Sequence, residues 1–193
     1  YDYLMLGSSY GKFNVKYFNG FLESNEGLIN RYITGKGIEW TNQKNYLIGI
    51  SETIIYSGEN RPIDIAYLNP ISSHLEIEFN DRLNNIGTTN SNAVWQFSLD
   101  ILLNKNIRFS TNILYDEFVL DKVQLESGKE HGKANSQRFV YTILKNKNNI
   151  LILYFSRIYV GTPTFRHLNG SNNFVQRGMS LGWQNGSDGE ELK

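Results

Sequence analysis

The side chains that most readily do chemistry are few in this 193-residue chain, and they are set far apart. His74, His131 and His167 fall in three different stretches, and His131 sits within the charged run SGKEHGK, which reads as a solvated loop. The absence of Cys removes thiolate nucleophiles, disulfides and Cys-ligated metals together. Asp116 and Glu117 could act as paired acids or hold a cation. Neighbours on a strand point to opposite faces, however, so only a bulge would bring them to one site. Asp188, Glu190 and Glu191 could offer carboxylates to Ca²⁺ among permissive glycines, but no complete metal loop accompanies them and a polar turn is the simpler reading. Gly-rich phosphate cradles and nucleophile elbows are missing as well. The chain is therefore read as a non-enzyme with no cofactor and no metal. A formal net charge of zero argues against a nucleic-acid partner, which selects a basic surface.

The charged and polar side chains are better understood from the elements that hold them. Between Ala93 and Tyr115 the chain reads as a hairpin folded about Asn104. Ala93, Trp95, Phe97, Leu99 and Ile101 share one face with Ile107, Phe109, Thr111, Ile113 and Tyr115, while Gln96, Ser98 and Asp100 share the other with Arg108, Ser110 and Asn112. The turn sets Asp100 opposite Arg108, Ser98 opposite Ser110 and Gln96 opposite Asn112, and matched pairs of this kind stabilise one face of a sheet. Each arm has roughly the 9–11 residues that cross a bilayer when tilted. One face suits lipid and the other water, as in an outer-membrane barrel strand.

The same rhythm gives strands at about residues 1–9, 11–22, 29–40, 45–57, 91–103, 106–117, 137–145, 149–159 and 174–184. Short connections at Ser9-Tyr10, Thr41 to Lys44, Asn104-Lys105 and Asn146 to Asn148 alternate with mostly longer ones at Glu23 to Gly27, Gly58 to Asn90, Val119 to Ser136 and Gly161 to Asn173. Short turns on one rim and long loops on the other predict an all-β fold, an antiparallel transmembrane β-barrel of the outer-membrane type, with about nine strands in a single domain over 1–193. A soluble barrel or sandwich is the competing architecture. No apolar run approaches the length of a membrane helix. The three prolines, at 62, 70 and 163, all fall in predicted loops, as strand ladders require.

Some stretches break the alternation. Ile150 to Tyr159 and Tyr46 to Ile55 are apolar on both faces, with Glu52 isolated among Ile48, Ile50 and Ile54. Either a plug packs against the inner wall, or the register differs from the one read here. In the long insertion at about 58–90, Asn69-Pro70 resembles a helix start. Ile71, Leu75, Phe79 and Leu83 would then form one apolar stripe, giving a short helix as a candidate plug or lid. A strand alternating through Leu75 to Phe79 competes with it. The chain begins at Tyr1 without Met or a signal peptide, and its polar stretch from Gln184 to Glu191 reads as a turn awaiting another strand. A piece of a larger barrel, or a chain trimmed at both ends, is expected.

Several motifs in order carry a family resemblance: GISE at Gly49 to Glu52, then IIYSG, YLNP at Tyr67 to Pro70, NAVWQFSLDI at Asn92 to Ile101, YDEF at Tyr115 to Phe118, TFRHLN at Thr164 to Asn169, and GMSLGW with GSDGEE between Gly178 and Glu191. From about Lys36 onward the chain resembles the Wzi-type capsule assembly proteins of Gram-negative outer membranes, in the versions found in Bacteroidetes-like bacteria. The resemblance implies an outer-membrane barrel whose lumen is blocked by helices and folded loops. It implies a surface lectin that helps anchor or organise capsular or extracellular polysaccharide, with outer-membrane lipids around it. Sugar rings would meet aromatic faces, and their hydroxyls and carboxylates would meet Asn, Asp and Arg. The candidates on long loops are Tyr67, Asn69, Phe165, Arg166, His167 and Asn169, while packing within the loops is the plainer role for Tyr67 and Phe165. Glu52, Asp100 and Arg108 are expected to be polar residues of the lumen, and Trp40, Trp95 and Trp183 to be girdle residues at the membrane interfaces. A porin or transporter for small solutes is the alternative function, and an outer-membrane enzyme or soluble lectin-like domain a third.

Overall fold

A computed structural model describes residues 2–25, 28–74, 76–77, 91–117, 122, 126, 131–146, 149–167 and 170–193. Eight strands follow one another along the chain: β1 (Tyr3–Tyr10), β2 (Phe13–Asn25), β3 (Ile29–Thr41), β4 (Tyr46–Glu59), β5 (Ser91–Asn104), β6 (Ile107–Glu117), β7 (Gly132–Lys145) and β8 (Ile150–Val160). Each pairs antiparallel with the next, and β11 (Gly189–Leu192) adds beside β8 to complete a nine-stranded sheet. The sheet is open, with β1 and β11 at its ends. The stretch read as a ninth strand over 174–184 is instead a minimal hairpin of β9 (Val175–Gln176) and β10 (Met179–Ser180), outside the main sheet. The polar stretch read as a closing turn supplies the ninth sheet strand. Glu190 and Glu191 fit there because β11 is an end strand, where charge is tolerated.

Asn side chains set the short turns. Asn42 Oδ1 accepts from the backbone N–H groups of Lys44, Asn45 and Tyr46 at 3.0, 2.9 and 2.8 Å. Asn104 Oδ1 does the same for Asn106 and Ile107 at 2.9 and 3.0 Å. These Asx-type bonds replace the ladder where the chain reverses. The Asn104 turn also corrects the hairpin register. Asp100 lies opposite Ser110, Ser98 opposite Asn112 and Gln96 opposite Leu114, with a bulge between Leu102 and Asn104. The expected pairing is thus displaced by two residues. A shift of two keeps every side chain on its face, where a shift of one would have exchanged the faces.

Continuous registers assign the two faces strand by strand. Trp40, Ile48, Leu99 and Thr111 align on one, as do Ile38, Ile50, Phe97 and Ile113, and this is called the aromatic face. On β7, β8 and β11 these two rows carry Gln137, Arg157, Asn135 and Glu190, while Phe139 with Phe155 and Tyr141 with Leu153 keep the face apolar nearer the short turns. On the opposite, polar face, Glu39, Gly49, Ser98, Asn112, Ser136, Ile158 and Glu191 align in one row, and Asp100, Ser110, Arg138 and Ser156 in the next.

Both faces are covered at the rim opposite the short turns, by different segments. Residues 161–188, here the strap, bring Phe165 and Phe174 onto the polar face against Leu22, Ile55, Val94 and Val160. Residues 60–74 and 76–77 lie on the aromatic face, where Tyr67 and Ile77 join Tyr32, Ile54, Tyr56 and Ala93. The apolar inner residue Ile55, unexplained by alternation, is therefore strap-covered core. In the insertion a short helix, α1 (Ile65–Leu68), is capped by Asp64, and His74, Glu76 and Ile77 are helical as well. Asn69 ends that helix instead of starting another, and Ile71 is 90% exposed. A helical turn begins later, where Ser73 Oγ accepts from Glu76 N–H at 3.2 Å and Ser73 O accepts from Ile77 N–H at 3.1 Å. Leu75, Phe79 and Leu83 of the predicted stripe lie outside the described residues.

Candidate functional site

The polar face changes character along the strands. Next to the strap it is apolar, and a cavity of about 500 Å³ lies between Phe18, Ile33, Val94 and Leu114 on the sheet and Phe165, Phe174, Leu181 and Trp183 on the strap. Close approach is made possible by glycine: a Cβ on Gly35 would stand 2.1 Å from the Phe18 ring, and one on Gly182 would stand 2.5 Å from that of Phe165. Further along, amides and hydroxyls link the strands. Gln96 Nε2 donates to Asn112 Oδ1, and Asn112 Nδ2 donates to Ser136 Oγ, both at 3.2 Å.

Beyond them a groove of about 420 Å³ is lined by Glu39, Ser98, Asp100, Asn112, Arg138, Tyr154 and neighbouring side chains. Asp100 and Arg108 meet here directly, although they are not opposite one another. The guanidinium donates to both carboxylate oxygens, through Nε at 2.9 and 3.1 Å and Nη2 at 2.9 Å, and Ser110 Oγ adds a donor at 2.8 Å. The Arg108 side chain is 60% exposed, so the pair contributes under about 1 kcal/mol and chiefly fixes register.

Arg31 holds the strap in place. It is buried on the polar face at the rim, and its guanidinium donates to the carbonyls of Ser171 at 2.5 Å and of Asn173 and Val175 at 2.9 Å. No carboxylate serves it in those bonds, so the fork of donors meets the charge's hydrogen-bonding need through neutral backbone. Across the strands the strap is fastened at further points. Thr164 Oγ1 donates to Lys133 O at 2.8 Å, Phe165 N–H donates to Asp116 Oδ2, and Asn92 Nδ2 donates to Asn172 O at 3.4 Å. Gln176 Oε1 accepts from Glu23 N–H at 2.7 Å.

The insertion on the aromatic face is fastened by rings and by a buried ion pair. Tyr67 stacks on Tyr56 with centroids 4.3 Å apart, Tyr56 on Tyr32 at 5.0 Å, and the Arg61 guanidinium sits 5.1 Å from the Tyr56 ring centre. Lys36 Nζ lies 3.0 Å from Glu52 Oε2 and donates to Ser72 O, while His74 N–H donates to Glu52 Oε1 at 3.0 Å.

The expected site residues do not converge. Glu52 lies on the aromatic face beside Lys36 and Trp95, so it shares no wall with Asp100 and Arg108. Tyr67 is buried, and its hydroxyl donates to Ser91 Oγ at 3.0 Å. Asn69 is spent on its own turn, accepting from Ile71 N–H and donating to Ser72 Oγ. Phe165 is buried beneath the strap, Arg166 next to it is exposed, and His167 N–H donates to Asn173 Oδ1 at 2.7 Å. Tyr67 and Asn69 thus lie on one face of the sheet and Phe165, Arg166 and His167 on the other; Asn169 lies outside the described residues. Trp183 packs onto the strap-covered core and over Gly189, while Trp95 keeps to the aromatic face. Asp188 accepts from Thr162, Glu190 pairs with Arg157 at 2.6 Å and Glu191 with Lys193, and among the described residues no three metal-ligating side chains cluster.

Sequence reasoning missed Arg31, Lys36 and Arg138. Registers put Arg31 and Arg138 on the polar face and Lys36 on the other, and which long connection reaches them is not written in local alternation. Comparison of the chain with protein-family models, characterised proteins and solved structures finds no match.

Proposed function

We propose that this chain forms part of an outer-membrane β-barrel that acts in capsule or exopolysaccharide assembly or surface attachment and binds polysaccharide as a lectin. The observation that carries the reading is the division of the sheet into an aromatic face and a polar face, with strands long enough to cross a bilayer. On this reading Phe97, Leu99, Ile50 and Trp40 meet lipid, and Ser98, Asn112, Asp100 and Arg108 line the water-filled side. The strap then closes the lumen near the rim that carries the long connections, which suits a binding protein better than an open pore. The Wzi-type motifs supply the polysaccharide. Tyr67 and Phe165 act as packing for the segments that present Asn69, Arg166 and His167 at the surface.

A porin or solute transporter is the second reading, favoured by the open groove around Asp100 and Arg138. Two measurements separate them. On cells, loss of the gene is expected to release surface polysaccharide, and Arg166→Ala to weaken its retention while the amount of folded barrel stays constant. In planar bilayers the complete protein is expected to conduct poorly. Intact capsule on cells lacking the gene would remove the lectin role, and large steady channels would establish the porin.

A further inference from the structure

The groove on the polar face has an uneven charge pattern. Three carboxylates line it, and each has a cation of its own: Asp100 is held by Arg108, Glu191 by Lys193, and Glu39 stands 4.0 Å from Lys16. Arg138 is in no ion pair with a carboxylate among the described residues; it lies within electrostatic reach of Asp100 and hydrogen-bonds with Tyr154. Its neighbours across the sheet are Ser110 on β6 and Ser156 on β8, so hydroxyls flank it on both sides. Tyr154, Ser136 and Asn112 extend that polar lining. The small side chains of Ser98 and Ser136 are part of its lining. Its volume of about 420 Å³ falls in the roughly 300–1,000 Å³ range of small-ligand sites.

An exposed guanidinium presents a planar fork that takes a carboxylate through two parallel bonds. Hydroxyls and amides around it both donate and accept, so they serve a ligand rich in hydroxyls. We propose that this groove binds a sugar acid, its carboxylate taken by Arg138 and its hydroxyls by Ser110, Ser136, Ser156, Asn112 and Tyr154. The site deepens the proposed function by naming an acidic sugar and placing it on the sheet wall away from the loops, and it rests on the reading of the polar face as water-facing.

The test is calorimetric titration of the complete folded protein with D-glucuronate, D-glucose and inorganic phosphate. Glucuronate is expected to bind at least about tenfold more tightly than glucose, because a charge-assisted bond is added. Arg138→Gln should abolish that preference, and Lys105→Gln, in the exposed turn between β5 and β6, should leave it intact. Far-ultraviolet circular dichroism and heat-modified gel mobility verify that both variants fold. Equal affinity in wild type and Arg138→Gln, or glucose matching glucuronate, overturns the site. Phosphate competing as strongly as glucuronate overturns the sugar-acid class. Glucuronate binding that depends on Arg138 supports the site even where cells lacking the gene keep their capsule, a result that removes the capsule reading alone. Failure of glucuronate to bind while capsule retention requires the protein removes the site alone.

Discussion

The strap and the insertion cover the same rim of the sheet from opposite sides, and they are held by different physics. The strap hangs on one buried guanidinium whose hydrogen-bond acceptors among the described residues are backbone carbonyls, helped by side chain to backbone bonds spread over β2, β5, β6 and β7. The insertion rests on a stack of tyrosines and on a buried ion pair, Lys36 with Glu52, whose side chains are 20% and 6% exposed. The difference follows from what each face offers. On the polar face the rim carries Asn92 and Asp116, both buried under the strap, so a crossing segment is tied strand by strand. The aromatic face offers Tyr32 and Tyr56 and a charged pair in apolar surroundings, and such a pair must be shielded or lost. On the membrane reading the insertion keeps Lys36 and Glu52 away from lipid.

The largest expected effect lies in that ion pair. Glu52→Ala removes the buried partner of Lys36, whose side chain is 20% exposed and keeps its bond to Ser72 O, and should destabilise the insertion by about 3 kcal/mol, whereas the double change Lys36→Met with Glu52→Leu should be close to neutral or stabilising. Amide exchange would read this at Ile77, whose N–H donates to Ser73 O, while strap amides stay protected. Arg31→Lys comes next. An ammonium cannot reach the carbonyls of Ser171, Asn173 and Val175 with one planar fork, and a loss of about 1.5–3 kcal/mol is expected from charged hydrogen bonds alone. Exchange should then quicken at Phe174 and Leu181, whose N–H groups bond Phe165 O and Phe174 O, and not at Ile77. If either variant loosens both segments together, the two closures are one cooperative unit and the contrast fails. The smallest effect is expected at Asp100→Ala, under about 1 kcal/mol, since its partner Arg108 is largely in solvent.

Much of the sheet was legible because alternation is a local property. The faces of β5 and β6 could be read from Trp95 to Tyr115 even though the register was displaced by two, since the period of two is indifferent to that shift. The Asp100–Arg108 contact could be read for the same reason, a long side chain reaching the diagonal position. Glu52 was misplaced because it was judged by its charge and not by its parity with Ile48, Ile50 and Ile54. The ninth strand was lost because β11 pairs only with β8, and its sequence, GEEL, carries little strand signal of its own. The strap and the insertion depend on contacts between residues far apart in the chain, such as Arg31 with Ser171, and no local pattern encodes those. For the loop aromatics Tyr67 and Phe165, packing is the plainer role read from the sequence, and both are core.

The proposed membrane placement requires the aromatic face of the sheet to meet lipid and the polar face to meet water. Spin labels placed singly at Ile50, Phe97, Ile113, Ser98 and Ser110 of the complete protein in bilayers test this, with oxygen and a nickel chelate as relaxing agents. Labels at Ile50, Phe97 and Ile113 are expected to respond to oxygen, and those at Ser98 and Ser110 to the nickel chelate. Water-like accessibility at Phe97 and Ile50, or no alternation between positions 97 and 98, would contradict the membrane reading of the sheet.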